Sequence, residues 1–402
     1  MDISNYKKTS VGFIPIDWDF TSLGDISQVY DGTHMTPDYK ESGVPFFSVE
    51  HLTSNNFNKT KFISREVYEK EIKRTKIEKG DILMTRIGDI GTIKFIDWDI
   101  EASFYVSLAL LKNKSNNDFK FLSYQLQSNS FKKELDKRII HVAFPIKINL
   151  GEIGLCLIVL PPINEQRKIA TILSNWDIAI DNCKAIIENL KNRNIGLAQQ
   201  LLSGKMRVKG FEKSQWHLKS VEEVAVFKNG KAHENCIDEE GGYFVVNSKF
   251  ISTQGRVAKA SNENLCPLCK NDITMVMSDI PNGKAFAKCF YIPEDNKYTL
   301  NQRICALTAR KGTDSKFLYY QMNRNNYYLA FNNGVSQTNL KKEEVLECPL
   351  LMPDIEEQIQ IVKLIDTATE ELNQYQQKLE ALQLQKKGLM QQLLIGKTRV
   401  KI

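Results

Sequence analysis

The sequence predicts an α+β protein in which two globular α+β segments are separated by two long antiparallel coiled-coil helices. Three observations support this fold class. A stretch of about fifty residues occurs twice, once near the middle and once at the end of the sequence. Each copy carries a heptad pattern of apolar residues. The segment before each copy contains short apolar runs broken by Gly, Asn and Asp, which is typical of small mixed sheets.

The composition is that of a globular protein with a mild excess of positive charge. The 402 residues allow two or three domains of ordinary size. Hydrophobic residues make up 42% and charged residues 25% of the chain. The net charge of +6 fits a surface that meets phosphate, but many proteins without a nucleic-acid partner carry as much.

The sequence predicts a cytoplasmic protein that does not enter a membrane. No apolar run is long enough to cross a bilayer. The first eight residues are polar and lack the apolar core of a secretory signal. The eight cysteines are scattered, as expected for reduced thiols in a cytoplasm.

The duplication has two anchors. Residues 199–209 (QQLLSGKMRVK) return as 391–401 (QQLLIGKTRVK), an offset of 391 − 199 = 192 residues. Without a gap, the same offset aligns 161–166 (PPINEQ) with 353–358 (PDIEEQ). A proline precedes each helical stretch and a glycine follows it, which matches the usual preferences at helix starts and ends.

Both copies show a coiled-coil seam when Gln166 and Gln358 occupy position a. In the first copy the a and d positions are Ile169, Leu173, Trp176, Ile180, Cys183, Ile187, Leu190, Leu197 and Leu201. In the second they are Ile361, Ile365, Ala368, Leu372, Tyr375, Leu379, Leu382, Leu389 and Leu393. Asn194 and Lys386 interrupt the seams at matching places, where a buried polar residue can set the register.

Two ordinary core helices are the alternative interpretation of these seams. The span from 355 to 394 is about 60 Å long at ~1.5 Å per residue, which exceeds the width of a small domain. This length favours two long helices packed antiparallel on each other.

The segments before the helices also resemble each other. Trp18 and Gly32 match Trp216 and Gly230 at an offset of 216 − 18 = 198 residues. The predicted order is a first globular segment, a central helical segment, a second globular segment and a C-terminal helical segment. Their predicted bounds are 1–158, 159–209, 210–349 and 350–402.

Each globular segment is predicted to be α+β. Strands are expected at 44–49, 82–86, 92–96 and 105–111, and again at 243–246, 273–276, 285–291 and 303–307. Short helices are expected at 119–126 and 316–322. Loops are where binding functions are usually found.

Catalytic motifs are missing from the sequence. Residues 396–398 (GKT) have the ending of a phosphate-binding loop, but Gln391 replaces its first glycine and the motif follows a helix instead of preceding one. No amino-methyltransferase motif, glycine-rich cofactor fingerprint or His-Glu-x-x-His motif occurs. The sequence therefore predicts no catalytic residue in this chain.

Cys266 and Cys269 form the one motif that suggests a metal. Zinc needs four ligands, and a close cysteine pair supplies half of them. The next cysteines, Cys289 and Cys305, have no pair spacing and are expected in apolar strands, and the first globular segment has no equivalent cysteines. The sequence favours free thiols over a zinc site, so no metal ligand is predicted.

Basic and aromatic residues in predicted loops are the candidate DNA contacts. Arg and Lys neutralise phosphate, and Arg also recognises guanine. For any one of them, a solvated surface position is the alternative. In the first segment they are His34, Tyr39, Arg65, Lys73, Arg74, Lys76, Arg86 and Arg138. In the second they are Lys231, His233, Lys249, Arg256, Lys284, Arg303 and Arg324.

Over essentially its whole length, the chain resembles the specificity (S) subunits of type I restriction-modification systems. The opening residues 7–18, the paired helix starts and the paired helix ends carry the resemblance. Residues 31–37 (DGTHMTP) with 79–83 (KGDIL) look like one common type of target-recognition domain. Residues 301–303 (NQR) and 336–340 (SQTNL) look like another.

The resemblance implies a function without catalysis. Its globular segments would be two target-recognition domains for a bipartite double-stranded DNA site, and its helices the family's conserved central and C-terminal regions. Two modification subunits would complete an adenine-N6 methyltransferase that uses S-adenosylmethionine. Restriction subunits would add ATP-driven translocation and cleavage with Mg. All these cofactors would bind to the partners.

Two other classes of protein remain as alternatives. A stand-alone DNA-binding nuclease would cut DNA with a divalent metal as a pure chain. A zinc-dependent structural adaptor would carry about one zinc ion per chain.

Overall fold

The computed structural model describes residues 5–10, 12–279, 284–332 and 338–401. These residues form two compact units. Unit 1 comprises Met1–Ala185 and Gln377–Ile402, and unit 2 comprises Ile186–Gln376. Of the predicted motif at 336–340, Ser336 and Gln337 lie outside the described residues.

Unit 1 contains an antiparallel four-stranded sheet and a smaller three-stranded sheet. Its strands are β1 (Tyr6–Thr9), β2 (Gly12–Pro15), β3 (Asp19–Ser22), β4 (Ser27–Asp31), β5 (Val44–Phe47), β6 (Lys61–Ile63), β7 (Ile82–Ile87), β8 (Asp89–Phe95), β9 (Ser103–Phe104), β10 (Leu108–Asn113) and β11 (Leu157–Leu160). The large sheet has the order β4-β10-β7-β8 and the small one β6-β5-β9. The central strands β7 and β10 are buried almost throughout, and each begins with a run of apolar residues, 82–84 in β7 and 108–111 in β10.

The helices of unit 1 are short except for α7. They are α1 (Leu23–Ile26), α2 (Val49–Ser54), α3 (Arg65–Glu71), α4 (Phe119–Gln125), α5 (Asn129–Asp136), α6 (Leu150–Gly154) and the start of α7 (Ile163–Leu202). Side-chain oxygens of Ser64, Asp118 and Ser128 accept backbone hydrogen bonds at the starts of α3, α4 and α5.

Unit 2 repeats this arrangement. Its strands are β12 (His217–Ser220), β13 (Ala225–Asn229), β14 (Tyr243–Val246), β15 (Lys259–Ser261), β16 (Ile273–Val276), β17 (Ser278–Asp279), β18 (Cys289–Tyr291), β19 (Tyr298–Leu300), β20 (Ile304–Ala309), β21 (Thr338–Asn339) and β22 (Pro349–Met352). Its helices are α8 (Val221–Val224), α9 (Ser248–Ser252), α10 (Ser315–Met322), α11 (Asn326–Leu329), α12 (Lys342–Leu346) and the start of α13 (Ile355–Leu393). The sheets have the orders β13-β20-β16-β18 and β15-β14-β19.

The strand registers make the two units comparable position by position. In unit 1, Ala109 of β10 pairs with Asp31 of β4 and with Met84 of β7. In unit 2, Cys305 of β20 pairs with Asn229 of β13 and with Met275 of β16. Asp31 and Asn229 therefore occupy the same place in the fold.

The predicted fold class is confirmed. The two long helices have 40 and 39 residues, and every predicted a and d position on them is buried or half-buried. The short helices predicted at 119–126 and 316–322 match α4 and α10. The strand predicted at 285–291 is shorter, because regular pairing with β16 begins only at Cys289.

The long helices pack antiparallel within each unit. In unit 1, Ile169 and Leu173 near the start of α7 share a core with Leu393 and Leu394 at the end of α13. In unit 2, Leu201 near the end of α7 shares a core with Ile361 and Ile365 near the start of α13.

The polar residues of the seams are paired. In unit 2, the side chain of Asn194 donates a 2.7 Å hydrogen bond to the carbonyl oxygen of Ala368. In unit 1, the ammonium group of Lys386 lies 2.5 Å from a carboxylate oxygen of Asp177. Because each residue has a specific partner across the seam, both favour one register of the helices.

A buried glutamate at the start of α7 holds unit 1 together. The indole of Trp18 donates a 3.0 Å hydrogen bond to the Glu165 carboxylate. Arg399, six residues beyond the end of α13, donates two bonds of 2.8 and 2.7 Å to the same carboxylate and also pairs with Asp17. Since Glu165 has no exposed surface, its charge depends on these partners.

Unit 2 has the same arrangement around Glu357 at the start of α13. Trp216 and Ser214 donate hydrogen bonds of 3.0 and 2.7 Å to its carboxylate, and Arg207 donates two of 3.0 and 2.9 Å. Burial alone would raise the pKa of Glu357, but these bonds hold it below its ordinary value. We call the Glu165–Trp18–Arg399 and Glu357–Trp216–Arg207 clusters the clamps.

The glutamine after each clamp glutamate makes the same pair of hydrogen bonds in both units. Gln166 accepts a hydrogen bond from the backbone of Asp118, and its amide group donates to the carbonyl of Pro161. Gln358 bonds Asp314 and Pro353 in the same way. The repeated Glu-Gln pair therefore attaches a long helix to the first turn of a short one, α4 or α10.

The clamp of unit 2 generates a stability prediction. The substitution Glu357→Gln removes the charge that Arg207 faces, and we expect it to lower the free energy of unfolding by about 3 kcal/mol near neutral pH. Because the pKa of Glu357 is lowered by folding, its contribution is present above the unfolded-state pKa and is lost as the pH falls through the lower, folded-state pKa. Urea unfolding of the full chain at several pH values measures both effects.

Glu356→Gln is the matched control, because Glu356 is the exposed neighbour with the same charge. It should change stability by less than about 0.5 kcal/mol. Equal effects of the two substitutions would contradict the role given to the clamp.

Candidate nucleic-acid interface

Three predicted DNA-contacting residues of unit 1 converge on one acidic side chain, Asp31. Nε2 of His34 lies 2.7 Å from Oδ2 of Asp31. The guanidinium of Arg74 is hydrogen-bonded to Oδ1 of Asp31 and, at 3.3 Å, to the carbonyl oxygen of Gly32. The guanidinium of Arg86 lies 3.4 Å from Oδ2. We call these four side chains the Asp31 cluster.

The fold brings the cluster together from three segments of the chain. Asp31 ends β4, His34 follows in the next loop, Arg74 follows α3 and Arg86 lies on β7. Gly32 lets the backbone after β4 pass close to β9, because a Cβ atom there would lie 1.9 Å from the carbonyl oxygen of Phe104.

Exposure increases outward through the cluster. The side chains of Asp31 and Arg86 are 7% and 8% exposed, whereas those of Arg74 and His34 are 52% and 64% exposed. Burial lowers the pKa of Arg86, and the charge of Asp31 opposes this shift. Arg86 also donates to the carbonyl oxygen of Ile148 at 3.2 Å. Arg86 is thus the buried basic residue of the cluster, and Arg74 and His34 are its solvent-exposed residues.

Other predicted contacts of unit 1 lie on its exposed surface. The ammonium of Lys61 lies 4.6 Å from the centre of the Tyr39 ring, which is 40% exposed. Arg65 pairs with Glu101 at 2.6 Å. Lys73 and Lys76, close to Arg74 in sequence, are exposed.

Arg138 has a different environment. It pairs with Glu134 at 3.0 Å and donates a 3.2 Å bond to the carbonyl oxygen of Leu155. Glu134 also accepts a bond from the backbone of Leu157 at the start of β11. These contacts tie α5 to β11, and the structure does not bring Arg138 into the Asp31 cluster.

Among the described residues of unit 2, the position equivalent to Asp31 carries no carboxylate. Asn229 replaces Asp31. His233 is buried, and its ring nitrogens bond the carbonyl oxygen of Lys231 and the hydroxyl of Thr299, both at 2.8 Å. Lys231 itself is exposed.

Arg303 lines a polar cleft of about 360 Å³. The other lining residues are the amides Asn247, Asn301 and Gln302, the hydroxyls Ser248 and Ser278, the carboxylate Asp279, and Ile304. The Oδ1 atom of Asn301 is buried and has no hydrogen-bond partner among the described residues. Arg303 has a φ of 66°, a strained backbone conformation that often marks functional sites.

The remaining predicted contacts of unit 2 are exposed. Arg324 donates a 3.3 Å bond to the carbonyl oxygen of Lys284, so these two residues are neighbours. Lys249 lies on α9, and Arg256 bonds the carbonyl oxygen of Thr253 in the loop after it.

Searching the sequence for basic and aromatic residues missed several important positions. Asp31 was overlooked because it is acidic, although it belongs to the 31–37 motif. Asn247 and Asn301 are neutral amides that line the cleft. The clamp arginines Arg207 and Arg399 carried a usable signal, since both stand in the repeated helix ends.

The cysteines are mostly buried. Cys289 and Cys305 lie in β18 and β20, as predicted, and burial raises the pKa of the Cys305 thiol to about 12. Cys266 is buried and Cys269 exposed. Within the described residues, no group of three or more His, Cys, Asp or Glu side chains is arranged to hold a metal ion. In the same part of the chain, no helix combines the length and apolarity needed to span a membrane.

Two proteins to which the chain is similar along almost its whole length are specificity subunits of type I restriction enzymes. The chain is 26% identical over 425 residues to the putative type I restriction enzyme MjaX specificity subunit of Methanocaldococcus jannaschii, covering 99% of this chain and 97% of that subunit. It is 25% identical over 426 residues to the MjaVIII specificity subunit of the same organism, covering 99% and 96%.

Solved structures share the fold. The S subunit of a type I restriction-modification system from M. genitalium superposes with a TM-score of 0.58 at 18% identity, covering 94% of this chain and 96% of that one. A chain from a study of complex assembly and conformational transition of the type I R-M system gives a TM-score of 0.61 at 13% identity, covering 96% and 99%.

The family model described as the type I restriction modification DNA specificity domain matches residues 15–192 and 213–383. Its two matches follow the internal duplication and cover most of the sequence. The chain therefore belongs to the type I restriction modification DNA specificity domain family, with two copies of that domain.

Proposed function

We propose that this chain is the DNA-recognition subunit of a type I restriction-modification complex, and that each globular segment recognises one half of a bipartite double-stranded target. The observation that carries the proposal is the presence of two specificity domains on one scaffold. The segments 1–158 and 210–349 are the proposed target-recognition domains. The helical segments 159–209 and 350–402 are the proposed binding regions for partner subunits.

The difference between the two units supports a bipartite target. Equivalent positions carry Asp31 in unit 1 and Asn229 in unit 2. Unit 1 presents an arginine and a histidine bonded to a buried carboxylate, whereas unit 2 presents a cleft lined by amides, hydroxyls, one carboxylate and Arg303. Amides favour adenine and arginine favours guanine, so two such surfaces suit two different half-sites.

Among the predicted DNA contacts, exposure separates two roles. The exposed residues are the proposed direct contacts: His34, Tyr39, Arg65, Lys73, Arg74, Lys76, Lys231, Lys249, Arg256, Lys284, Arg303 and Arg324. The buried or paired Arg86, Arg138 and His233 are proposed to position loops instead.

The proposed partners supply the chemistry. Two modification subunits would transfer a methyl group from S-adenosylmethionine, and restriction subunits would use ATP and Mg. The proposed location is the cytoplasm, where these subunits meet DNA.

We expect the purified chain to show no catalytic activity by itself. No methyl transfer from labelled S-adenosylmethionine should exceed background, and no cleavage should occur with Mg. Adding co-expressed methyltransferase subunits should produce methylation, which serves as the positive control. Steady methyl transfer or metal-dependent cleavage by the pure chain would contradict the proposal.

Exchanging one recognition segment should change one half of the target. We expect a replacement of residues 210–349 by the equivalent segment of another family member to alter one half-site and to leave the other unchanged. Arg207 and Glu357 lie outside the exchanged segment, so this ion pair of the clamp is kept. Mapping methylated sites in cells that carry the complex measures both halves at once.

The reciprocal exchange of residues 1–158 is the matched control. It should alter only the half-site that the first exchange preserved. If either exchange changed both halves together, the assignment of one half-site to each segment would be wrong.

A further inference from the structure

We propose that Arg74 and His34, held in place by Asp31, recognise base edges in the major groove at a guanine-containing step of one half-site. The inference rests on the proposed DNA-recognition function and assigns its chemistry in unit 1. Arg74 and His34 are the specificity-determining residues, and Asp31 is a positioning residue.

Asp31 fixes both exposed side chains at once. Its carboxylate bonds Arg74 through Oδ1 and His34 through Oδ2. The buried Arg86 shares Oδ2 and compensates the charge of Asp31 from the protein side. An arginine whose orientation is set by a carboxylate loses less side-chain entropy when it binds a ligand.

Arg74 keeps donors available for a base. It uses one nitrogen for Asp31 and another for the carbonyl oxygen of Gly32, which occupies two of its five N–H groups. The remaining donors lie on a side chain that is 52% exposed. Guanine offers O6 and N7 as a pair of acceptors in the major groove, and arginine is their commonest protein partner.

His34 adds an acceptor beside these donors. A carboxylate accepts only, so the Nε2 atom that faces Asp31 carries the proton. In the neutral ring, Nδ1 is then an acceptor on a side chain that is 64% exposed. An acceptor suits the amino group of cytosine or adenine and repels a phosphate oxygen. The combination of donors and an acceptor therefore favours a base edge over the DNA backbone.

Unit 2 carries other residues at the described positions that correspond to Asp31 and Arg86. Asn229 stands in place of Asp31. The backbone N–H of Met277 donates to the carbonyl oxygen of Arg303, as that of Arg86 donates to the carbonyl oxygen of Ser107. Met277 therefore stands in place of Arg86. The cluster is therefore specific to unit 1, and its loss should affect only the half-site that unit 1 recognises.

The test selects preferred sequences with the full chain, assembled with its co-expressed methyltransferase subunits, from a pool of duplexes randomised in both half-sites. Arg74→Lys keeps the charge and loses the planar fork, and we expect about a tenfold loss of discrimination for one guanine. His34→Ala should relax the preference at the same or an adjacent base pair. Asp31→Asn should relax both and leave the other half-site as sharp as in the wild type.

Lys70→Arg is the matched control, because Lys70 is an exposed cation of unit 1 with its own carboxylate partner, Glu66, and is not among the proposed DNA contacts. It should leave the preferred sequence unchanged. Should Asp31→Asn fail to fold, as judged by thermal unfolding, Arg74→Lys and His34→Ala decide the matter alone.

Two results would overturn the inference. One is an unchanged preferred sequence in both Arg74→Lys and His34→Ala. The other is uniform weakening of all sequences with a smaller salt dependence, which would identify phosphate contacts instead. If the wild-type complex itself selected no sequence, the proposed function would fail first, so the two failures are distinguishable.

Discussion

A buried carboxylate at the start of each long helix is the constraint on which the rest of the structure depends. Glu165 and Glu357 have no exposed surface, and a buried charge is tolerated only when its partners are complete. The partners are a tryptophan from the strand region before β3 or β12 and an arginine from beyond the end of the other helix. Each clamp thus joins three distant parts of the sequence, and no one of them can shift without exposing or orphaning the charge.

The clamps explain why the repeated motifs consist of these residues. A glutamate followed by a glutamine begins each long helix, and an arginine follows the glycine at each end. The glutamate forms an ion pair with the arginine. The glutamine connects the long helix to Asp118 or Asp314 at the start of the neighbouring short helix. Because both motifs return with the same spacing, the second unit rebuilds the same contacts with a different surface sequence.

The fold was largely predictable from sequence, because the periodicity of apolar residues follows burial directly. The seams and the apolar residues of the central strands β7, β10, β16 and β20 follow this rule, and the duplication is visible as repeated sequence. The site was less predictable, because residue type does not reveal pairing. His233 satisfies both ring nitrogens inside unit 2, and Arg138 ties α5 to β11, although both resembled surface contacts. Asp31 was missed since a search for DNA contacts favours cations over the carboxylate that orients them.

One scaffold can therefore carry two unrelated recognition surfaces. The strand register that places Asp31 beside Ala109 also places Asn229 beside Cys305, so the backbone offers the same platform twice. What differs is the side chain at this strand position. In unit 1 it is a carboxylate that binds two arginines, and in unit 2 it is an amide. The clamps and the seams stabilise the helical segments and the strands next to them, and further apolar clusters lie within the globular segments. The loops that follow β4 and β13 can therefore carry different exposed side chains on the same strands, and loops are where binding functions are usually found.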